Sequence, residues 1–411
     1  MKILHVVHGY PPSIGGAQLL VQNISEHLVN TYQDQVTVFT PNTYFTHQFR
    51  QPNGPLLPVG DETIAGVSVR RFPIFNRLSL LRIALSSLTY RLKLPGNDWF
   101  RTLENGPIMI GLRQAIKESQ ADVVLASAFP LWHMYDALAA AQQANIPLVF
   151  LGALHPTDTW GFDRPMIYRA MQQADAYIAL TTFERDYVIS KGLAPERVSV
   201  VGGGISPDFF AQANPQAIRQ QYPLADGPIV VTLGGQVARK RLDTLLEAMT
   251  LVWKTHPHAQ LIIAGRQGDY SPQLNAHLNS LPSSQRNQVI VISDFAEAEK
   301  ADILAAADIF ALCSGEESFG IVFVEAWASG KPVIGANVGA IKTLVQDHHN
   351  GLLFEYGDPE SLKKAICFLI DHPAKRHTFG QAGRNLVYQH YTWPAITEKV
   401  RHIYQTVVAK A

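Results

Sequence analysis

Cysteine is nearly absent from this sequence, since Cys313 and Cys367 are the only two among 411 residues. Two cysteines are too few for a disulfide framework or a cysteine-based zinc site, so we expect a protein of a reducing compartment. Long apolar runs are absent too, because no segment offers the ~20 residues that span a bilayer. The apolar stretch at the N-terminus is stopped by Gly9-Tyr10-Pro11-Pro12, unlike a signal peptide. We therefore expect a cytoplasmic protein, with membrane association left open.

The sequence has no excess of either charge. Its 34 Lys and Arg residues balance 34 Asp and Glu residues, so the net charge gives no reason to expect a nucleic-acid partner. A hydrophobic content of 47% indicates a well-packed chain, and 411 residues suffice for two domains. We find no Asp-x-Asp triplet on a strand-end loop, so we expect no metal. The segment from Gly9 to Ala17 lacks the Gly-x-Gly-x-x-Gly spacing of nicotinamide-dependent enzymes.

The most informative stretch runs from Ala311 to Gly339. An apolar run that ends at Leu312 predicts a buried strand, and a polar loop follows it. The residues from Phe319 to Ser329 predict a helix that Gly330 closes. The loop therefore lies at the carboxyl end of a strand and at the start of a helix, where α/β sheets bind ligands.

This loop carries groups for two kinds of ligand. Backbone N–H groups around Phe319, Gly320 and Ile321 would suit a phosphate at the start of the helix. The carboxylates of Glu317 and Glu325 would instead suit sugar hydroxyls. The alternative is that these glutamates form an ordinary solvated face.

At these residues the sequence resembles the retaining, nucleotide-sugar-dependent glycosyltransferases of family 4, which have the GT-B fold. The family signature places Phe-Gly after a first glutamate and Glu-Ala-x-Ala-x-Gly-x-Pro-Val at a second. Here these are Glu317-Ser318-Phe319-Gly320 and the run from Glu325 to Val333. The resemblance implies an α/β protein with two doubly wound, Rossmann-like domains that face a central cleft. It also implies that Glu317 contacts the sugar and that Glu325 contacts the ribose.

Two further parts of the resemblance lie in the N-terminal half. Tyr-Pro-Pro followed by Gly15-Gly16 matches the family's N-terminal loop, which faces the nucleotide-sugar. Gln18 stands where the family often has a glutamate. His155 follows a predicted strand and matches a family histidine near the transferred sugar, although from its position alone it could be an ordinary loop residue.

A cluster of three adjacent cations follows the strand that ends at Leu233. Such a cluster after a glycine turn suits a diphosphate, although a solvated basic turn is the alternative. The family carries an arginine and then a lysine here, and Lys240 matches the lysine. Gly235 or Gln236 stands where the arginine is expected, so either Arg239 or Arg241 replaces it or diphosphate binding is weaker.

The ends of the next two strands are expected to border the nucleobase, and the resemblance assigns Arg266 and Phe295 to that role. We predict an acceptor-side domain over residues 1–205, to which a C-terminal helix at 394–411 returns. A nucleotide-sugar-binding domain is predicted over 206–393, and residues 204–227 are expected to form a linker.

A basic stretch between Arg70 and Lys117 is the remaining feature. Its leucines recur at helical spacing among cations. Such a stretch can contact an anionic membrane surface or an anionic acceptor, or it can be an ordinary amphipathic helix that packs its leucines on the sheet. The leucines in question are Leu78, Leu81, Leu85, Leu88 and Leu92.

Together these features predict a retaining hexosyltransferase that uses a UDP- or GDP-linked sugar as co-substrate, without another cofactor. The expected acceptor is a sugar, a glycan or a lipid-linked molecule. The alternatives are a non-catalytic nucleotide-sugar or glycan-binding protein and a GT-B nucleotide-sugar epimerase.

Overall fold

The computed structural model describes residues 1–13, 15–51 and 53–411. Ile14, which belongs to the predicted glycine loop, and Pro52 lie outside the described residues. The chain divides into two compact units, which are Met1–Gly203 with Trp393–Ala411, and Gly204–Thr392. Among the described residues, no helix combines the length and the apolar character needed to cross a membrane.

The N-terminal unit is built on a sheet whose spatial order is β3-β4-β2-β1-β5-β6-β7-β8. All of its described strand pairs are parallel except β3 with β4. The strands are β1 Lys2–Val6, β2 Gln35–Pro41, β3 Gly60–Ile64, β4 Val67–Phe72, β5 Val123–Ser127, β6 Leu148–Leu151, β7 Ala176–Ala179 and β8 Val198–Val200. Strands such as β5 are buried along their whole length, as expected for a parallel sheet covered by helices on both faces.

Helices connect most of the strands of this unit. They are α1 Gly16–Tyr32, α2 Ser79–Arg91, α3 Asn97–Asn105, α4 Leu112–Glu118, α5 His133–Ala144, α6 Pro165–Gln172 and α7 Thr182–Ser190. Thr181 caps α7 by accepting a hydrogen bond from the Glu184 N–H, as its position before the helix predicts.

The second unit has a fully parallel sheet with the order β11-β10-β9-β12-β13-β14. Its strands are β9 Ile229–Leu233, β10 Gln260–Gly265, β11 Val289–Ser293, β12 Ile309–Leu312, β13 Val333–Ala336 and β14 Gly351–Phe354. Its helices are α8 Pro207–Ala211, α9 Pro215–Gln221, α10 Leu242–Val252, α11 Ser271–Ser280, α12 Ser283–Arg286, α13 Lys300–Ala306, α14 Ile321–Ala328, α15 Ile341–Leu344, α16 Pro359–Asp371 and α17 Pro373–His390.

The last helix, α18 Trp393–Val408, belongs to the N-terminal unit. His5 on β1 lies between Ser25 and Tyr404, with its Nδ1 2.7 Å from the Ser25 hydroxyl and its Nε2 3.0 Å from the Tyr404 hydroxyl. Burial lowers the pKa of His5 to about 3, so this imidazole is neutral. Arg401 also donates to Asp34 at 2.8 Å. These polar contacts fix the last helix against the first strand and its neighbours.

Two expectations from the sequence are corrected, and one alternative left open above is excluded. Val67–Phe72 is the fourth strand rather than the third, because the polar segment Gly60–Ile64 pairs with it as an antiparallel edge strand. The expected linker at 204–227 contains α8 and α9, each of which has a proline in its first turn. The leucines of α2 are not packed on the sheet, since Leu81 and Leu88 are each 53% exposed.

Candidate active site

The second unit places two loops side by side at the carboxyl edge of its sheet. Strand β9 lies between β10 and β12, so the connections after β9 and after β12 leave toward opposite sides. This is the switch point at which α/β sheets bind ligands. Lys240, after β9, and Glu317, after β12, meet there with Nζ and Oε1 2.5 Å apart. The structure thus brings together two residues that are 77 positions apart in the sequence.

The Lys240–Glu317 pair is largely shielded from water. The two side chains are 9% and 12% exposed, so this pair interacts more strongly than a surface ion pair would. Gly234 packs against the lysine stem, because a Cβ at that position would lie 3.2 Å from Cε of Lys240. The ammonium group of Lys240 is therefore held in a fixed position at the carboxyl edge of the sheet.

Gln236, in the loop where the family arginine is expected, faces the protein interior. Its side chain is buried, its Nε2 donates to the Ser293 hydroxyl at 3.1 Å, and its Oε1 accepts from the Ser271 hydroxyl at 2.7 Å. Both hydrogen-bonding ends of the amide are thus used to join the loop to neighbouring elements. Gln236 does not supply a side chain to a diphosphate.

The two flanking arginines point to different partners. Arg239 donates from Nη1 to the Glu316 carbonyl oxygen at 3.1 Å, and the same atom lies 3.7 Å from Oε1 of Glu317. Arg241 instead pairs with Asp243 at 3.0 Å and lies 5.6 Å from the centre of the Tyr356 ring. Of the two candidates for the missing cation, Arg239 is therefore the one beside the Lys240–Glu317 pair.

Glu325 lies within α14 and is buried. Its Oε1 accepts from Lys300 Nζ at 2.9 Å, while its Oε2 has no hydrogen-bond partner among the described residues. Burial raises the pKa of Glu325, although the charge of Lys300 opposes that rise. A buried acceptor without a hydrogen-bond partner is costly, which makes Glu325 a candidate ligand-binding residue.

The start of α14 contains the other residues that are predicted to contact the nucleotide-sugar. Gly320 precedes the helix with φ of 90°, a conformation that favours glycine. Phe319 is buried, and its ring centre lies 5.5 Å from that of Tyr391. Ile321 is the first residue of the helix. The chain is therefore held tightly at the start of the helix, where backbone N–H groups lack intrahelical partners.

Arg266 and Phe295 follow the neighbouring strands β10 and β11. Arg266 is exposed and Phe295 is half-buried. The backbone at Arg266 is fixed, because its carbonyl accepts from the Gln236 N–H at 2.9 Å. Both residues lie on the same sheet edge as the Lys240–Glu317 pair, and their contact with a base remains a prediction.

In the N-terminal unit, Gly15 and Gly16 lie where α1 begins. A Cβ at Gly15 would come within 1.8 Å of Oε1 of Gln18, whereas nothing lies within 4 Å of a Cβ at Gly16. Gln18 is buried and donates to the Ser13 hydroxyl at 3.2 Å. A side chain at Gly15 would therefore require the Gln18 amide to move from its buried position, whereas Gly16 borders open space.

His155 is half-buried after β6, and its ring centre lies 5.5 Å from that of Phe162. The turn that leads to it is built around Glu184, a buried carboxylate on α7. Glu184 accepts from the Leu154 N–H at 3.1 Å, the Tyr177 hydroxyl at 2.7 Å and the Leu180 N–H at 2.8 Å. No sequence argument selected Glu184, because its partners lie up to 30 positions away.

A second missed cluster lies at the switch point of the N-terminal sheet, between β1 and β5. His133 donates from Nε2 to the Ser127 carbonyl at 2.8 Å, and its ring centre lies 6.2 Å from that of His8. Burial lowers the pKa of His8 to about 4 and that of His133 to about 3. Each Nδ1 is buried without a hydrogen-bond partner in the described part of the chain. The sequence signal for this position is a histidine two residues after β1 and a second histidine at the start of the helix that follows β5.

The stability of the N-terminal unit should depend on the ionisation of Glu184. Burial raises the pKa of Glu184 from 4.5 to about 7, so its ionised form is disfavoured in the native state. Its contribution to stability is fully present below pH 4.5 and is lost as the pH rises through about 7. We expect the free energy of unfolding of Glu184→Gln, relative to wild type, to increase by up to about 3 kcal/mol between pH 4.5 and 8.

Urea unfolding of both proteins across this range measures that difference, and the titration of other groups cancels in it. Glu247→Gln makes the same chemical change at an exposed position on α10 and is the control for the substitution itself. A flat difference for Glu184→Gln would mean that the carboxyl group titrates normally.

Within the described residues, no group of three or more His, Cys, Asp or Glu side chains is arranged to hold a metal ion. The expectation that the protein needs no metal stays a prediction.

Comparisons with known proteins extend over nearly the whole chain. Residues 14–209 match the family model described as Glycosyltransferase Family 4, and residues 214–386 match the one described as Glycosyl transferases group 1. The solved structure of Anabaena Alr3699/HepE in complex with UDP and glucose is 21% identical. It aligns over 99% of this chain and 100% of its own with a TM-score of 0.73.

Two curated relatives show the range of similar sequences. An alpha-maltose-1-phosphate synthase of Mycolicibacterium smegmatis is 30% identical over 58% of this chain and 65% of its own length. A GDP-mannose-dependent monoacylated alpha-(1-6)-phosphatidylinositol monomannoside mannosyltransferase of Corynebacterium glutamicum is 31% identical over 49% and 55%. The chain spans about half to two thirds of the length of the curated relatives it matches.

Two Rossmann-like units with these sheet orders define the GT-B class of glycosyltransferase folds. Within that class the chain belongs to glycosyltransferase family 4. The family and the fold class expected from the sequence are thereby confirmed.

Proposed function

We propose that the protein is a retaining glycosyltransferase that moves a hexose-type sugar from a UDP- or GDP-linked donor to a sugar, glycan or lipid-linked acceptor. The observation that carries the proposal is the shielded Lys240–Glu317 pair at the sheet's switch point. It places a fixed cation and a hydroxyl-binding carboxylate next to each other. A nucleotide-sugar presents a diphosphate directly next to a sugar, which is the complementary arrangement.

In this proposal, Lys240 and Arg239 neutralise the charge that develops on the departing diphosphate. Fixed positive groups at such a position usually provide the largest single part of catalysis. The N–H groups around Phe319, Gly320 and Ile321 add to that field. Arg241 contributes less, because Asp243 and Tyr356 already engage it.

Two carboxylates orient the donor. Glu325 accepts a ribose hydroxyl on its unpartnered Oε2, and Glu317 accepts hydroxyls of the sugar. For the N-terminal unit we propose, from the family resemblance alone, that His155 contacts the transferred sugar and that Gly15 and Gly16 approach the diphosphate.

Transfer would then proceed with retention at the anomeric carbon. The acceptor hydroxyl oxygen forms a bond to the anomeric carbon while the bond between that carbon and the diphosphate oxygen breaks. The hydroxyl proton passes to the departing diphosphate oxygen. Glu317 is held in an ion pair with Lys240, which suits hydrogen bonding to the sugar better than nucleophilic attack. The family relationship supports a nucleotide-sugar donor. A curated relative is named as GDP-mannose-dependent, and a structure of similar fold was solved with UDP, which supports guanine and uracil as the candidate bases.

Isothermal titration calorimetry with UDP, GDP, ADP and their sugar conjugates tests the proposal. One nucleotide should bind the wild type, and Glu325→Gln should weaken that binding about 10- to 100-fold, because a charged acceptor is lost. Glu247→Gln, on the exposed surface of α10, should bind as the wild type does. Proton NMR of the product should then show the donor's anomeric configuration.

The absence of binding by any nucleotide would contradict the donor class. Binding without turnover over a broad acceptor panel would favour a binding protein, and a free epimerised sugar-nucleotide would favour an epimerase. Thermal unfolding of each variant shows whether it is folded.

A further inference from the structure

Helix α2 exposes the apolar side chains that a surface helix normally buries. Leu80 is 83% exposed, and Leu81 and Leu88 are each 53% exposed. Leu78 and Leu92, just outside the two ends of the helix, are exposed as well. We call these five residues the leucine face. Contiguous exposed apolar side chains of this kind mark interaction sites on soluble proteins.

The orientation of α2 is fixed by polar contacts on its opposite side. Arg82, Ser86 and Thr89 recur at intervals of four and three residues, and all three are buried. Arg82 donates to the Leu103 carbonyl at 3.2 Å and to the Phe49 carbonyl at 3.1 Å. Turning the helix to bury its leucines would break these bonds and leave a buried guanidinium unsatisfied, which is costly. The leucine face therefore points outward as a property of the folded unit.

The charged residues of the segment that carries the leucine face all have one sign. The sequence contains no acidic residue between Thr63 and Asn97. Arg77 precedes the helix, while Arg91 and Lys93 lie at its other end, and all three are exposed. None of the three makes an ion pair with any other described residue. A row of apolar side chains thus has unpaired cations at both ends.

We propose that the leucine face of α2 docks this protein onto the surface of an anionic lipid bilayer. A 13-residue helix is about 20 Å long, so it can lie in the plane of the interface with its leucines among the acyl chains. The cations at its ends would then reach anionic headgroups on flexible side chains. The proposal concerns this surface alone and does not rest on the proposed transferase activity.

A second copy of the chain is a less suitable occupant. In a two-fold symmetric dimer, if one residue of the first copy contacts a second residue of the other copy, the same two residues also meet with the copies exchanged. Antiparallel α2 helices would place Arg77 of one copy beside Arg91 and Lys93 of the other. Like charges placed together oppose such an interface, whereas an anionic surface satisfies all of them.

Co-sedimentation of the full chain with phosphatidylcholine vesicles, with and without phosphatidylglycerol, tests the proposal. We expect binding to the phosphatidylglycerol vesicles that weakens as salt is added. Replacing Arg77, Arg91 and Lys93 with glutamine should lower the partition coefficient about 100-fold, at about fivefold for each cation. The triple variant Leu80→Ser, Leu81→Ser, Leu88→Ser should lower it at least about tenfold.

Matched controls lie on other surfaces of the chain. Tyr388→Ser removes an exposed apolar side chain, and a triple glutamine variant at Lys254, Lys375 and Lys410 removes three exposed cations. Both should partition as the wild type does. Because every substituted side chain is exposed, circular dichroism and donor binding should be unchanged.

Three outcomes would overturn the proposal. The wild type could fail to bind either vesicle, or the leucine variant could bind as tightly as the wild type. Sedimentation velocity could instead reveal a dimer that the leucine variant abolishes, and the occupant would then be a second copy.

Discussion

Replacing Lys240 with alanine is expected to lower kcat/KM for the nucleotide-sugar donor about 10²- to 10³-fold. Loss of one fixed group that stabilises developing charge commonly has an effect of this size. The variant also leaves Glu317, which is only 12% exposed, with Arg239 at 3.7 Å as its remaining cation. The Glu317 carboxylate and the departing diphosphate, both negative, would then lie close together with less positive charge to neutralise them.

A series of alanine variants separates the three cations. Arg239→Ala should lower kcat/KM about tenfold, because its guanidinium is half exposed and therefore screened. Arg241→Ala should leave kcat/KM within about twofold of wild type, since its partners are Asp243 and Tyr356. A larger loss in Arg241→Ala than in Arg239→Ala would reverse their proposed roles.

A double-mutant cycle with Glu317→Ala measures the coupling directly. Lys240 and Glu317 are in contact, so the effects of the two substitutions should be non-additive. Strictly additive effects on kcat/KM would show that the pair does not act as a unit. Steady-state kinetics with saturating acceptor provide the measurement for every variant.

The parts of the fold that the sequence predicted are those specified by local patterns. The run from Ile309 to Leu312 is apolar because a central parallel strand is buried on both faces. Gly320 and Gly330 mark the two ends of α14, and both have positive φ. Such signals depend on neighbouring residues only, so they can be read without knowledge of tertiary contacts.

The polar interior of the protein could not be predicted in the same way. The sequence marks Gln236 only as one of two residues at the place of the expected arginine, yet its two side-chain hydrogen bonds are made to serines 35 and 57 positions away. Glu184 organises the turn before His155 through backbone groups of two other segments. Long-range partners of this kind leave no periodic signal in the sequence.

Helix α2 illustrates a different limit. Its spacing of leucines predicts a helix with an apolar side, and a helix is present at Ser79–Arg91. Periodicity does not determine which side packs on the protein. Here the side of α2 that carries Arg82 packs on the protein, because Arg82 donates hydrogen bonds to two carbonyl oxygens there. The leucines therefore point outward.

Replacing Trp327 with alanine is expected to lower the free energy of unfolding of the second unit by about 3–5 kcal/mol. Trp327 is fully buried in α14, and its Nε1 donates to the Asn350 carbonyl at 2.8 Å. Its ring packs directly on α17, since a Cβ at Gly383 would come within 2.0 Å of Cδ1. The substitution therefore opens a large cavity and leaves a buried carbonyl without its donor.

The same change should weaken donor binding in the protein that remains folded. Glu325 lies two residues before Trp327 on an eight-residue helix, so the helix cannot relax into the cavity without moving that carboxylate. Urea unfolding followed by far-UV circular dichroism gives the stability, and calorimetry below the transition gives the affinity. Tyr388→Ala, an exposed aromatic on α17, should change stability by less than about 0.5 kcal/mol. If Trp327→Ala lost stability without any loss of donor affinity, the packing of α14 would not be what positions Glu325.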